Sequence, residues 1–166
     1  RWAWQYQKEV DALLDSLIES TISFLALQAK AGVDVLMLFD SWASAVPAAR
    51  RQWLVIGPSK KIVDGLRKKG HKQPVIGFPK GIGEGLISYV DQSAVDAVGL
   101  DHGVDPVWVD RNLPKNFPVQ GNLDPLSLLQ AGPEKFPVHT SYISGKYSQP
   151  PTSDGSTGTR VYLRQV

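Results

Sequence analysis

The most suggestive polar side chains in the sequence lie at the end of an apolar run. Residues 33–39 read VDVLMLF, with Asp34 as the only polar residue, and Asp40, Ser41 and Trp42 follow directly. A serine hydroxyl at the end of a buried strand can hydrogen-bond a substrate carboxylate or carbonyl. Asp40 or Ser41 could equally cap the next helix, so the pattern leaves a binding role and a structural role open.

Further polar groups follow later apolar runs. Asp101 and His102 could form a pair for proton transfer, or they could be ordinary loop residues. Asn122, within QGNLDP, is interpreted mainly as a structural residue of a turn that leads into a helix. The glycine-rich stretch GIGEG, residues 81–85, could cradle a phosphate, although it lacks the lysine and spacing of known phosphate loops. A flexible turn is the alternative.

The other two histidines give no further candidate for a chemical role. His71 follows a basic helix end and is expected to be solvated, and His139 lies in a polar C-terminal region. No histidine is placed near Ser41, so the sequence gives no case for a Ser-His-Asp triad. No cluster of convergent ligands suggests a metal site.

The elements that must position these residues alternate along the chain. Helical spacing of apolar residues over Gln7–Lys30 predicts a long helix ended by Gly32. The run 33–39 is short and uniformly apolar, which predicts a strand buried on both faces. The same alternation predicts strands at 74–78, 97–101 and 117–122 and helices at 48–69, 84–93, 105–113 and 124–130, with a possible break in the first of these helices at Gly57–Pro58.

Strands separated by helices indicate parallel βαβ units of the α/β class. A doubly wound sheet and a (β/α)8 barrel both fit this order. Each predicted strand ends in polar or glycine-rich residues, and in a barrel the carboxyl ends of the strands carry the active site. The barrel is therefore favoured, as an incomplete one of about four βα units. Ser41 is predicted to face its mouth beside Asp101 and Asn122.

Composition excludes several function classes. With 18 basic and 16 acidic residues the net charge is only +2, which gives no case for a nucleic-acid partner. No apolar run approaches the ~20 residues that span a membrane. The absence of cysteine fits a cytoplasmic protein. Residues 133–166 are rich in Ser, Thr, Gly and Pro, and they are predicted to be a disordered tail beyond a domain of residues 1–132.

Four motifs then occur in order: QAKAGVDVLMLFDSWAS, PVIGFPKGIG, VGLDH and VQGNLDPLSLLQAG. Together, over about Gln5 to Gly132, they resemble the motifs of the uroporphyrinogen decarboxylase family of heme biosynthesis. The resemblance implies a (β/α)8 barrel, usually a homodimer, that uses no metal or organic cofactor. It also implies a tetrapyrrole substrate, uroporphyrinogen, whose four acetate side chains lose CO2 to give coproporphyrinogen.

The resemblance carries over few site residues. Ser41, within FDSW, matches the family serine that binds substrate, and Phe39 is expected to line the pocket wall. Asp40, Asp101, His102 and Asn122 are expected to line the site. The family's arginine motif, its pyrrole-binding aspartate and its tyrosine are expected to correspond to positions before Arg1, and its histidine motif does not occur. No catalytic residue is therefore assigned, and the chain alone is expected to be inactive.

The sequence also departs from the family pattern. His102 replaces a tryptophan, Ser44 replaces a glycine, and the resemblance ends at about Gly132. One alternative is a catalytically incompetent barrel fragment that acts as an interaction module. A cobalamin-linked methyltransferase is disfavoured, because those enzymes hold zinc largely through cysteine and histidine.

Overall fold

A computed structural model of the chain describes residues 2–126. The predicted disordered tail lies outside the described residues, as do His139 and the predicted helix beyond residue 126. The helices are α1 Trp2–Gln5, α2 Gln7–Lys30, α3 Gly57–Lys68, α4 Leu86–Gln92 and α5 Pro106–Asn112, and the strands are β1 Leu36–Asp40, β2 Val75–Pro79, β3 Ala97–Gly99 and β4 Val119–Gln120.

The four described strands form one parallel sheet in the order β1-β2-β3-β4. Each strand is followed by helical structure before the next, which is the pattern of consecutive βα units. The predicted fold class, an incomplete (β/α)8 barrel of about four units with parallel strands, is confirmed. All four strands consequently end at the same edge of the sheet.

Local signals fix several element ends. Gly32 adopts a φ of +93° just beyond α2, in the left-handed region where glycine is favoured. Asp105 caps α5 by accepting a hydrogen bond from the backbone N–H of Val107 at 2.8 Å, and Pro106 occupies the first turn, where its missing N–H costs nothing. These predicted ends are confirmed.

The predicted break at Gly57–Pro58 is wrong, because the chain stays helical there. Residues 52–56 form a π-helical turn that runs directly into α3, and the N–H of Gly57 donates to the carbonyl of Gln52. A Cβ at Gly57 would lie 2.8 Å from that oxygen. Pro58 lies in the first turn of α3, where proline is tolerated.

One face of the sheet packs on the helices. In-register apolar residues of the strands are almost completely buried in a cluster with residues of α2, α3 and α4; on the strands these are Leu36, Val75, Val98 and Val119. Because side chains alternate along a strand, the neighbouring residues Met37, Phe39, Phe78, Gly99 and Gln120 belong to the opposite face.

The prediction that the first strand is buried on both faces is wrong. The strand begins at Leu36, and of its five residues only Leu36 is fully buried. Val33 and Val35 are exposed, and Phe39 is 66% exposed. Ile76 and Ala97 on the same face of the sheet are buried, so this face is open around Phe39 at the end of β1, and the apolar composition of the run does not by itself give burial there.

A close contact joins the sheet to α4. Tyr89 is buried, and its hydroxyl donates a hydrogen bond to Oγ of Ser59 on α3 at 3.2 Å. A Cβ built on Gly77 of β2 would lie 2.5 Å from the Tyr89 hydroxyl oxygen. The absence of a side chain at Gly77 is therefore what lets the tyrosine ring lie against the strand.

We expect Gly77→Ala to lower the free energy of unfolding by about 1–3 kcal/mol, the usual cost of overpacking a core. In a Tyr89→Leu background the same substitution should cost markedly less, because the clashing atoms are gone. Urea unfolding of the original chain, the two single variants and the double variant measures the cost of Gly77→Ala with and without the tyrosine ring. Strictly additive effects would contradict the proposed contact.

Helix α2 has a second apolar face. Its buried residues, such as Ile18, Ile22 and Leu25, pack on the core. At 100° per residue, an exposed stripe lies on the opposite side of the helix; it consists of Leu13, Leu17, Phe24 and Leu27. Exposed apolar patches of this kind drive association.

We expect the 166-residue chain, expressed by itself, to self-associate through such surfaces. The double substitution Leu17→Glu and Phe24→Glu should shift light-scattering masses toward the monomer, whereas Ser20→Glu, on the same side of the helix, is the matched control for added charge. A chain that is already monomeric at high micromolar concentration would disprove this expectation.

Candidate functional site

A concavity opens on the face of the sheet that carries Phe39, near the carboxyl ends of the strands. Its volume is about 210 Å³. Residues of all four strands and of the segments that follow β3 and β4 contribute to its wall, namely Met37, Phe39, Phe78, Gly99, Leu100, Gln120, Gly121 and Leu123. This is the end of the sheet at which barrel proteins bind their substrates.

Two aromatic rings form one wall of the concavity. Phe39 and Phe78 are register partners on β1 and β2, and their rings meet edge to face with centroids 5.7 Å apart and planes at 76°. Phe78 leans over Gly99, where an added Cβ would lie 2.7 Å from the phenylalanine ring. A side chain at position 99 would thus displace the ring, so Gly99 helps to shape the wall.

Gln120 differs from the other seven wall residues because its side chain is polar. It lies on β4, opposite Gly99 in the register, and only 8% of its surface is exposed. Within residues 2–126, no hydrogen-bond donor reaches its Oε1 atom. The concavity therefore combines apolar walls with one buried, unsatisfied acceptor.

Asp40 and Ser41 lie beside this concavity but do not form its wall. Ser41 is the first residue after β1 and is exposed to solvent. Neighbouring side chains of a strand point to opposite faces, so Asp40, which follows Phe39, belongs to the helix-covered face of the sheet. Its Oδ1 accepts a hydrogen bond from the backbone N–H of Trp42 at 3.3 Å, so it ties the turn after the strand.

Burial shapes the electrostatics of this strand end. Burial raises the pKa of Asp40 above its ordinary value, and backbone hydrogen bonds from Trp42 and Ala43 oppose that rise. The pKa of Tyr89 is also raised, first by burial and then by the negative charge of Asp40, while the hydrogen bond with Ser59 lowers it.

Asp101 and Asn122 tie loops together at the same edge. The carboxylate of Asp101 accepts hydrogen bonds from the backbone N–H groups of Gly81 at 2.7 Å and Gly103 at 2.9 Å. Asn122 donates from Nδ2 to the carbonyl of Val104 at 2.6 Å. These contacts give both side chains a loop-fixing role.

His102 and the glycine-rich stretch gain little support as chemical groups. His102 is exposed, and both carboxylate oxygens of the neighbouring Asp101 already accept backbone hydrogen bonds. Because one of those donors is Gly81, the stretch 81–85 presents one fewer free N–H group to a phosphate. The proton-transfer pair and the phosphate cradle both stay predictions.

The part of the chain that the structure describes contains no group of three or more His, Cys, Asp or Glu side chains that could hold a metal ion. Within residues 2–126 no helix has both the length and the apolar character needed to cross a membrane.

Sequence reasoning identified Phe39 but missed most of the other wall residues. Met37 lies two residues before Phe39 on β1, and the register of the sheet places Phe78, Gly99 and Gln120 of the other three strands on the same face. Counting alternate positions along each predicted strand could have found them. The prediction that the first strand is buried on both faces concealed that signal.

Comparison with known proteins agrees with the family resemblance of the four sequence motifs. The family model described as "Uroporphyrinogen decarboxylase (URO-D)" matches residues 1–150, which runs past the predicted boundary at residue 132; that boundary stays a prediction. The chain is similar to proteins named uroporphyrinogen decarboxylase from Novosphingobium aromaticivorans (47% identical over 80% of this chain and 39% of the relative), Sphingopyxis alaskensis (48%, over 73% and 35%) and Maricaulis maris (45%, over 78% and 37%). The chain therefore spans less than two fifths of the length of these curated relatives.

The raised pKa of Asp40 has a testable consequence for stability. Below the ordinary aspartate pKa of about 3.9, Asp40 is neutral in both folded and unfolded chains. As pH rises from there through the higher pKa of the folded state, ionisation of Asp40 costs the folded chain more free energy than the unfolded chain. The free energy of unfolding therefore falls over this pH range. We expect Asp40→Asn to raise the melting temperature relative to the original chain at pH 7, and the gain to shrink towards pH 4.

Melting curves from pH 4 to pH 8 check this expectation. Asp91→Asn, at an exposed position on α4, is the matched control and should show no such trend. If the increase in melting temperature caused by Asp40→Asn were the same at every pH from 4 to 8, burial would not raise the pKa of Asp40.

Proposed function

This chain belongs to the uroporphyrinogen decarboxylase family, and we propose that it forms part of an enzyme that removes CO2 from the acetate side chains of uroporphyrinogen. The proposal includes the homodimer and the cytoplasmic location that the family resemblance implies. It assigns substrate binding to Ser41 and Phe39, with Asp40, Asp101, His102 and Asn122 near the bound substrate.

One observation carries the proposal: an apolar concavity with an aromatic wall lies at the carboxyl edge of a parallel sheet, next to the FDSW turn. A pyrrole ring is flat and apolar, and it carries an N–H group at one edge. Phe39 and Phe78 present ring surfaces of matching character. Binding sites that combine apolar walls with a few placed polar groups are typical for small molecules.

The reaction explains what such a site must do. When the acetate loses CO2, the carbon–carbon bond breaks and its electron pair needs an acceptor. Protonation of the pyrrole ring creates that acceptor. After CO2 leaves, the exocyclic methylene carbon takes a proton to become a methyl group, and the ring releases the proton that it had gained, so that one proton is consumed for each CO2 lost. A water-excluding wall strengthens the electrostatic interactions that stabilise the cationic ring.

Within this scheme the chain's own residues bind and orient the substrate. Phe39 supplies apolar surface on the rim of the concavity, and its 66% exposure leaves that surface available for a ligand. Ser41, one residue further on and also exposed, is proposed to donate a hydrogen bond to a substrate carboxylate. Hydrogen bonds to charged groups contribute about 1.5–3 kcal/mol.

A chimera tests the proposal. Residues 1–132 of this chain would replace their counterparts in the Novosphingobium decarboxylase, and conversion of uroporphyrinogen to coproporphyrinogen would be measured anaerobically. We expect turnover, and we expect Ser41→Ala to lower kcat/KM by about 10-fold to 100-fold, the loss of one charged hydrogen bond. Ser20→Ala, on the exposed side of α2, is the matched control and should leave kcat/KM unchanged.

Circular dichroism and the melting temperature separate failure to fold from failure to act. A chimera that folds like the relative and releases no CO2 would disprove the proposed function. Turnover that is insensitive to Ser41→Ala would remove Ser41 from the substrate site and leave the function itself standing.

A further inference from the structure

The carboxylate of Asp101 links two loops at the carboxyl edge of the sheet. Its Oδ2 accepts a hydrogen bond at 2.7 Å from the backbone N–H of Gly81, in the loop after β2. Its Oδ1 accepts one at 2.9 Å from the N–H of Gly103, in the loop after β3 that contains Asp101 itself. Hydrogen bonds to an ionised acceptor are stronger than those between neutral groups, so Asp101 holds the loop after β2 firmly to its own loop.

The loop after β2 is bound in turn to the turn that contains Ser41. Lys80, in this loop, makes backbone hydrogen bonds on both sides of Ser41. Its N–H donates to the carbonyl of Asp40 at 3.0 Å, and its carbonyl accepts from the N–H of Ser44 at 3.1 Å. Ser41 therefore lies within a short segment whose two ends are both held by the loop that Asp101 fixes.

Gly81 keeps the loop and the turn in direct contact. It adopts a φ of +70°, in the left-handed region that favours glycine. A Cβ built on Gly81 would lie 2.8 Å from the Cβ of Ser44. Because the two segments touch with no space for a side chain between them, a displacement of the loop would also displace the turn.

The proposed role of Ser41 depends on the position of this turn. Ser41 is exposed at the mouth, and its hydroxyl is proposed to donate to a substrate carboxylate. A group that is fixed before the ligand arrives binds more tightly, because less ordering is required on binding. A misplacement of about 1 Å can reduce turnover by about 10²-fold. The contacts with the loop after β2 are therefore suited to hold the hydroxyl in place.

We infer that Asp101 is a positioning residue, which holds through Gly81 and Lys80 the turn that presents Ser41 to the substrate. The inference rests on the proposed function, because it takes Ser41 as a ligand of the substrate. It assigns Asp101 neither a direct contact with the substrate nor a proton transfer with His102. The contribution of Asp101 to turnover consequently depends on the hydroxyl of Ser41.

A double-mutant cycle tests this dependence in the chimera with the Novosphingobium decarboxylase. Asp101→Asn keeps the size of the side chain, but its single amide oxygen replaces two carboxylate acceptors. We expect it to lower kcat/KM for uroporphyrinogen by about 3-fold to 30-fold, and by no more than Ser41→Ala does. In the Ser41→Ala background the same substitution should lower kcat/KM by less than about twofold, because the positioned hydroxyl is absent.

Asp105→Asn is the matched control, since it makes the same substitution in the same loop. Asp105 accepts a hydrogen bond from the N–H of Val107 at the start of α5, and asparagine caps a helix about as well as aspartate. This variant should leave kcat/KM unchanged with and without the hydroxyl of Ser41.

Gly81→Ala disturbs the same link without altering the carboxylate. The added methyl group would press against Ser44 and push the loop away from the turn. We expect Gly81→Ala to lower kcat/KM when the hydroxyl of Ser41 is present and to change it by less than about twofold in the Ser41→Ala background. This second variant decides the inference if Asp101→Asn does not fold.

Hydrogen exchange measures the position of the turn without using activity. Amide exchange of the peptide that covers residues 41–45, followed by mass spectrometry, should be faster in Asp101→Asn than in the unsubstituted chimera. In Asp105→Asn it should be unchanged. A residue that only stabilised its own loop would leave the exchange of residues 41–45 unaltered.

Each outcome either supports or overturns the inference. If Asp101→Asn lowered kcat/KM by the same factor with and without the hydroxyl of Ser41, Asp101 would act independently of Ser41 and the inference would be wrong. Unchanged exchange of residues 41–45 would overturn it as well. Both results leave the proposed function standing, because the unsubstituted chimera still releases CO2. A folded, unsubstituted chimera without turnover would disprove the proposed function, and the inference about Asp101 with it.

Discussion

The two-residue period of the parallel strands is the constraint on which the rest of the structure depends. Because the strands are in register, alternate residues form continuous rows across the sheet. One row, which includes Leu38, Val98 and Val119, packs against the helices. The other row carries Phe39 and Gln120 and forms the concavity. A shift of register by one residue would exchange the two rows and eliminate both the core and the site.

Glycines in these rows decide what each face can accommodate. Gly77 lies on the helix-covered face and admits the ring of Tyr89, which connects β2 to α3 through Ser59. Gly99 lies on the other face and admits the ring of Phe78. The same type of residue thus supports the core on one side and shapes the aromatic wall on the other.

Polar residues at the strand ends serve mainly to hold the mouth in place. Asp101 joins the loop after β2 to the loop after β3, and Asn122 joins the end of β4 to that same region. Loops with backbone groups tied in this way lose less freedom when a ligand binds, which favours affinity. Chemical function and loop geometry therefore cannot be distinguished from residue type alone at this edge of the sheet.

The sequence by itself determined the order of the elements, the parallel arrangement and the helix ends at Gly32 and Asp105, because these features depend on residues close together in the chain. Four ordered motifs also identified the family. Only the tertiary structure decided that Phe39 is exposed, that Asp101 binds two backbone N–H groups and that Gln120 has an unsatisfied oxygen within the described residues. Each of these properties depends on which distant residues approach the side chain. An apolar run predicts a strand from its composition, whereas its burial depends on whether another element covers that face.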